Sequence, residues 1–198
     1  MSNRDAPFGF KPLRTINGGD WKAAEITVVA GDGYAVALFS GTPVKLSGDF
    51  ILQTTSSAQQ YFSEVTLSAA NEVIDFIITG FTPQYITEEF GFKYGKASTL
   101  RFMQAVPVQG TIFEIQANGI VATTASASNA NITAEVGSTL TGSSTVELDT
   151  ATIASTATHS LLITGISKDR NNNDLVSANS NIEVIINKTL LTPGSTGV

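Results

Sequence analysis

Along most of the chain apolar and polar residues alternate with a period of two. That spacing puts successive side chains on opposite faces of a β-strand. Within residues 24–30, Ile26 and Val28 alternate with Glu25 and Thr27. Across 34–39 the large Tyr34, Val36 and Leu38 share one face, and Ala35 and Ala37 occupy the other. Short apolar runs follow at 44–46 and 50–52, and the polar stretch 56–63 reads as a loop. Val65 and Leu67 alternate with Glu64 and Thr66. The run 73–79 is apolar apart from Asp75 and its closing Thr79, as expected of a strand buried on both faces. Phe90, Phe92 and Tyr94 stand at i, i+2 and i+4, which places three rings on one strand face. They form either an aromatic binding platform or a ladder in a core or between chains.

Residues 100–106 predict another strand, ended by Pro107, and 111–117 alternates Phe113 and Ile115 with Glu114 and Gln116. Asn118-Gly119 then separates this run from 120–123. A strand, an Asn-Gly pair and a second strand predict a two-residue hairpin turn. Residues 122–145 turn to Ala, Ser, Thr, Asn and Gly, with Val136 and Leu140 hinting at strand, and read as a connector. Beyond it, 146–148, 161–166 and 182–187 are β-like, and Asp169 to Asp174 form a polar turn. Residues 147–158 are the best candidate for a short helix.

Many short strands separated by turn signals predict an all-β fold, a β-barrel or β-sandwich with little helix. The expected organisation is an extended N-terminal arm at 1–14 and a main β-domain at 15–121. A connector at 122–145 leads to a C-terminal β-region at 146–191, in the same or a second small domain, with a tail at 192–198. The arm is extended because Pro7 and Pro12 forbid a regular helix, and Phe8 and Phe10 need burial. They find it on their own core or on a neighbouring chain.

Composition narrows the chemistry. Only 14% of the 198 residues are charged, against 42% hydrophobic, so Ser, Thr, Asn and Gln supply the polarity. Such a surface suits contact with a partner, or is simply a Thr-rich β exterior. With 11 basic and 17 acidic residues the net charge is −6, a poor match to a phosphate backbone, so no nucleic-acid partner is expected. There is no cysteine, hence no disulfide and no thiolate metal site. No apolar run has the length of a signal peptide or a membrane span, so a soluble protein made in the cytoplasm, with no membrane partner, is expected. The sequons at Asn131 and Asn187 then read as chance.

The sequence shows no complete catalytic pattern. His159 is the single histidine, and it lies near no nucleophile elbow. Gly31-Asp32-Gly33 lacks the third glycine of a dinucleotide loop and leads into a strand-like segment. Gly95-Lys96 lacks the P-loop spacing. Glu88-Glu89 and the pair Glu147 and Asp149 are carboxylate pairs that read as solvated acids rather than an acid–base couple. Asp169, Asn171 and Asn173 alternate like calcium ligands, but Asp174 and Ser180 stand where such a loop needs Gly and Glu. An Asx turn is the simpler reading. No catalytic residue, metal or cofactor is expected, and the chain is not expected to be an enzyme.

Five stretches, taken in order, carry a resemblance. They are Ala6-Pro-Phe-Gly-Phe-Lys-Pro12 with Arg14, Tyr34-Ala-Val-Ala-Leu-Phe-Ser-Gly-Thr-Pro-Val-Lys-Leu46, and Phe113-Glu-Ile-Gln-Ala-Asn-Gly119. Leu161-Leu-Ile-Thr-Gly-Ile166 and Asn181-Ile-Glu-Val-Ile-Ile-Asn187 complete the set. Together they resemble the capsid decoration, or cement, proteins of tailed bacteriophages. The resemblance spans most of the chain and is weakest across 121–145. It implies a structural virion protein, made in the host cytoplasm, that sits on the outer capsid surface. It implies homotrimers at local threefold positions bridging subunits of the major capsid protein. Arg4, Pro7, Phe8, Phe10, Pro12 and Arg14 become candidate capsid contacts, and Trp21, Phe90, Phe92 and Tyr94 candidate core or inter-chain aromatics. The rival readings are a glycan-binding head-fibre base using the Phe90, Phe92, Tyr94 or Trp21 rings, and a tail or neck component.

Overall fold

The computed structural model describes residues 3–54, 59–82, 93–134 and 137–198. Thirteen strands are formed among them: β1 (Lys11–Thr15), β2 (Ile26–Ala30), β3 (Leu38–Phe39), β4 (Pro43–Thr54), β5 (Gln59–Leu67), β6 (Phe76–Thr82), β7 (Tyr94–Gly95), β8 (Arg101–Pro107), β9 (Thr111–Gln116), β10 (Asn129–Ile132), β11 (Leu148–Ala154), β12 (Leu161–Ile166) and β13 (Asn181–Ile186). A 3-10 turn, Trp21–Ala24, is capped by the Asp20 carboxylate, which accepts from Lys22 N. The all-β reading holds.

The strands make a six-stranded antiparallel sheet in the order β1-β9-β13-β12-β10-β11 and a closed barrel, β2-β5-β4-β6-β8; β3 pairs with β7. β1 and β9 are sheet neighbours, with Pro12 opposite Phe113, although the whole barrel lies between them in sequence. The sheets therefore part at 15/26 and 107/111, not at the 121/122 boundary expected from composition.

The alternation explains how the layers close. Phe113, Ile115, Ile182, Val184, Leu161 and Ile163 turn one face of the six-stranded sheet into a core that also takes Ile74, Ile77, Val106 and Val108 from the barrel side. The barrel interior is a second cluster holding Val28, Val44, Val65, Ile78, Met103 and Ala105. Successive residues Ile77 and Ile78 of β6 thus enter different cores and are both fully buried. This is the two-faced burial expected of the 73–79 run, in a strand that begins three residues later.

Several local expectations yield to these tertiary demands. Asn118-Gly119 makes no hairpin, because both edges of β9 are already occupied by β1 and β13. Instead Ala117 bridges Leu148, and Asn118 Oδ1 accepts from Thr150 N at 3.0 Å. A Cβ on Gly119 would lie 2.5 Å from Thr150 Oγ1, so the glycine permits close approach rather than a turn. The candidate helix at 147–158 is β11, its register fixed by Ile132 opposite Leu148 at the sheet edge. Within 34–39 only Leu38–Phe39 is strand, because Tyr34 N closes a turn onto Gly31 O. The connector 122–145 contains β10, whose Ala130 and Ile132 are core residues. Of the polar stretch 56–63, residues 59–63 belong to β5.

The extended N-terminal segment is folded onto its own chain. Phe10 is 2% exposed and meets the edge of Phe113 at 6.0 Å. Phe10 N donates to Gly41 O, Ala6 N to Gln116 Oε1 and Arg4 N to Asn172 Oδ1.

Candidate functional site

The far half of the β4/β5 hairpin carries several large apolar side chains that do not enter either core. Near the barrel, Val44 to Leu46 pair with Leu67 to Val65. An irregularity around Ser47-Gly48-Asp49 then shifts the register, so that Phe50 meets Ser63 and Leu52 meets Tyr61. Such bulges bend and twist a strand away from its sheet. Ser47 Oγ fixes the bend by donating to Glu64 Oε2 at 3.0 Å.

Among the described residues, the two strands pair beyond the bend only with each other. β4 meets β6 at Pro43 and Val44 alone, and β5 meets β2 at Glu64 alone. One hairpin face still turns inward: Phe62 stacks edge-on against Phe102 at 4.8 Å. The opposite face carries Phe50, Leu52 and Tyr61, which are 70%, 40% and 64% exposed. Residues 50–63 contain no charged side chain. The result is an apolar, uncharged strip whose two strand edges have no further strand partner among the described residues, the surface type that partners cover.

The sequence-selected residues are distributed differently. Of the capsid-contact candidates, Phe10 is core and so is withdrawn as a contact. Arg14 gives its guanidinium to Glu183 at 2.7 Å, inside its own sheet. That carboxylate raises the Arg14 pKa, first by hydrogen bonding and then by charge. Pro7, Phe8 and Pro12 are half-buried, and Arg4 is exposed. Trp21 is half-buried and packs on the main core, with the Lys22 ammonium 5.7 Å from its ring. Tyr94 stacks on Phe39 at 5.4 Å, a packing role. Phe90, Phe92, Glu88, Glu89 and Val136 lie outside the described residues.

The chemical candidates also resolve. The neighbour of His159, Ser160, is fully buried and donates its hydroxyl to Glu72 O, so it is no nucleophile. Asp169 Oδ1 accepts from Asn171 N at 3.0 Å, the Asx turn expected there. Glu147 and Asp149 do not act as a pair: Asp149 Oδ1 accepts from Ala151 N, whereas Glu147 feels Asp5. Burial, then the Asp5 charge, holds the Glu147 carboxyl above its ordinary range. Among the described residues no three His, Cys, Asp or Glu converge as metal ligands. No helix of the described residues is long and apolar enough to cross a membrane.

The hairpin strip was hidden in the sequence by the polar appearance of 56–63. The signal that marks it is the run Gln60-Tyr61-Phe62-Ser63-Glu64, in which one ring points each way. The chain matches no protein-family model, no curated protein and no solved structure.

Proposed function

We propose that this protein is a structural component of a tailed-phage virion, bound as homotrimers to the outside of the assembled capsid, where it bridges major capsid protein subunits. The observation that carries the reading is the uncharged strip of Phe50, Leu52 and Tyr61 on the outer face of the far half of the β4/β5 hairpin. Aromatic and aliphatic anchors on a charge-free strip are what a buried interface centre needs. The resemblance of the five ordered stretches to decoration proteins supplies the partner.

The mechanism is linkage. A protein that bridges neighbouring subunits binds the assembled shell and not its separate parts, so binding stabilises the assembled state. Trimeric presentation of three strips makes individually modest contacts act together. The N-terminal segment, which holds the candidate capsid contacts, also completes its own fold through Phe10 and β1. Deleting it would remove Phe10 and β1 from the sheet, and so would test folding rather than docking.

The discriminating experiment is co-sedimentation with expanded and immature capsids. The wild-type protein binds expanded shells as a trimer. Phe50→Ser with Tyr61→Ser retains the melting temperature and weakens binding by about tenfold or more. Full occupancy by the double variant would remove the hairpin from the interface. A wild-type monomer that ignores both shells would overturn the function.

A further inference from the structure

On the side of the molecule formed by the six-stranded sheet, the N-terminal segment and the 169–174 loop enclose a cleft of about 800 Å³. A second chamber of about 630 Å³ continues from it, with Phe8, Asp169 and Asn181 lining both. A volume of this size accommodates a small-molecule ligand.

The walls are fixed before any ligand arrives. Arg4 O accepts from Gln116 Nε2 at 2.9 Å and from Asn172 Nδ2 at 2.8 Å. Asn3 Oδ1 accepts from Asp174 N, and Asn3 Nδ2 donates to the Asp174 and Ala178 carbonyls. These bonds span the chain from one end to the other and leave little to order on binding.

The lining itself is left available. The side chains of Arg170, Asn171 and Asn173 are exposed at the cleft and make no side-chain hydrogen bond among the described residues. Two cations, Arg4 and Arg170, face two anions, Asp169 and Asp174, so the first chamber has no net charge. The second adds Lys11 and Glu114, already paired at 3.4 Å. A phosphate or polyanion finds no surplus of cations here. An apolar ligand would strand the amides and guanidinium without partners. A ligand that is neutral, elongated and rich in groups that both donate and accept satisfies planar amides, carboxylate and guanidinium together. Phe8 provides the apolar floor where the chambers join.

We infer that this cleft binds a neutral oligosaccharide, with Arg170, Asn171 and Asn173 bonding its hydroxyls and Phe8 beneath the chain. A neutral peptide strand is the weaker fit, because the free groups are side chains rather than an open strand edge. The inference is independent of capsid binding and uses a different set of residues from the hairpin strip.

Calorimetric titration of the full chain tests it, with maltotetraose, cellotetraose, mannotetraose and tetra-N-acetylchitotetraose as probes and a Gly-Ser octapeptide as competitor. Saturable binding of at least one sugar is expected. Arg170→Ala and Asn173→Ala each weaken it by about fivefold or more, the loss of one hydrogen bond, with unchanged melting temperatures. Phe50→Ser with Tyr61→Ser leaves sugar binding intact. No saturable heat with any probe at millimolar concentration, undiminished binding by the Arg170→Ala, Asn173→Ala double variant, or displacement of the sugar by the peptide would each overturn the assignment.

Discussion

β13 and the far half of the β4/β5 hairpin are both built on alternation, yet they spend their two faces differently. On β13, Ile182, Val184 and Ile186 enter the core, and Asn181 and Glu183 on the other face are buried as well, at 6% and 8% exposure. On the hairpin, Phe62 turns inward while Phe50 and Tyr61 stay in water. The sheet therefore buries polar groups and must satisfy each of them. Glu114 and Glu183 sit directly opposite on adjacent strands, a repulsive arrangement when left alone. Lys11 and Arg14 of β1 each neutralise one, and Ser167 and Asn181 also donate to Glu114. Phe50, Leu52 and Tyr61 on the hairpin's outer face have no such wiring among the described residues. A surface wired to its own chain is committed to folding, and one left apolar and unwired is available to another molecule.

The sharpest way to break this contrast is a pair of matched truncations. Phe113→Ala removes a fully buried ring that Phe10 abuts, and should cost about 3–5 kcal/mol in denaturant unfolding. Phe50→Ala deletes the same ring from the exposed strip and should change stability by no more than about 0.5 kcal/mol. Equal losses would mean that the strip supports the fold, and its role as a docking face would fall.

Next in size is the stitch between the two regions. Gly41 N donates to Ile78 O of the barrel, and Gly41 O accepts from Phe10 N of the N-terminal segment. Its φ is +87°, and a Cβ there would lie 2.5 Å from Phe8 O. Gly41→Ala should therefore cost roughly 1–3 kcal/mol, because the clash is with backbone that cannot rotate away. If hydrogen exchange in this variant rises at β1 and β9 but not at β4 and β5, the regions are separable. A uniform rise would show one cooperative unit.

What was legible in the chain follows from this geometry. Alternation identified β9, and apolar β-like runs identified β8, β12 and β13, because a strand with at least one core face leaves such a mark wherever it pairs. Alternation does not say whether the polar face is wet. Nothing around Glu114 or Glu183 announces that residues 3–8 and the 169–174 loop will cover that side of the sheet. The Asn118-Gly119 signal is local, and the topology overrode it by filling both edges of β9. The Pro and Phe pattern of the first residues required burial for Phe10 without naming the chain that provides it. The hairpin strip was missed because a strand beyond the edge of a sheet shows the composition of a loop.

The smallest effect is also the one in which the two regions oppose each other. Glu72, between β5 and β6, accepts from Lys45 Nζ at 2.8 Å and from Ala69 N at 2.9 Å. The Lys45 hydrogen bond first, then the Ala69 amide, holds its carboxyl below the ordinary carboxylate range. A carboxylate whose folded pKa is depressed contributes stability that is present above the unfolded pKa and lost as pH falls through the folded one. Glu147, just before β11, is shifted the other way by burial and by Asp5. Its ionisation therefore costs stability as pH rises through the raised value, and acid relieves that cost. Glu72→Gln should lower the melting temperature at about pH 7, within the ~0–1 kcal/mol of an exposed ion pair. Glu147→Gln should raise it slightly under the same conditions. Both differences should shrink toward zero at about pH 3, where both carboxyls are protonated in the unfolded chain. Thermal melts of the two variants at both pH values check the signs. A shared sign at neutral pH would remove the electrostatic half of the contrast between the sheet and the barrel, leaving only the difference in burial.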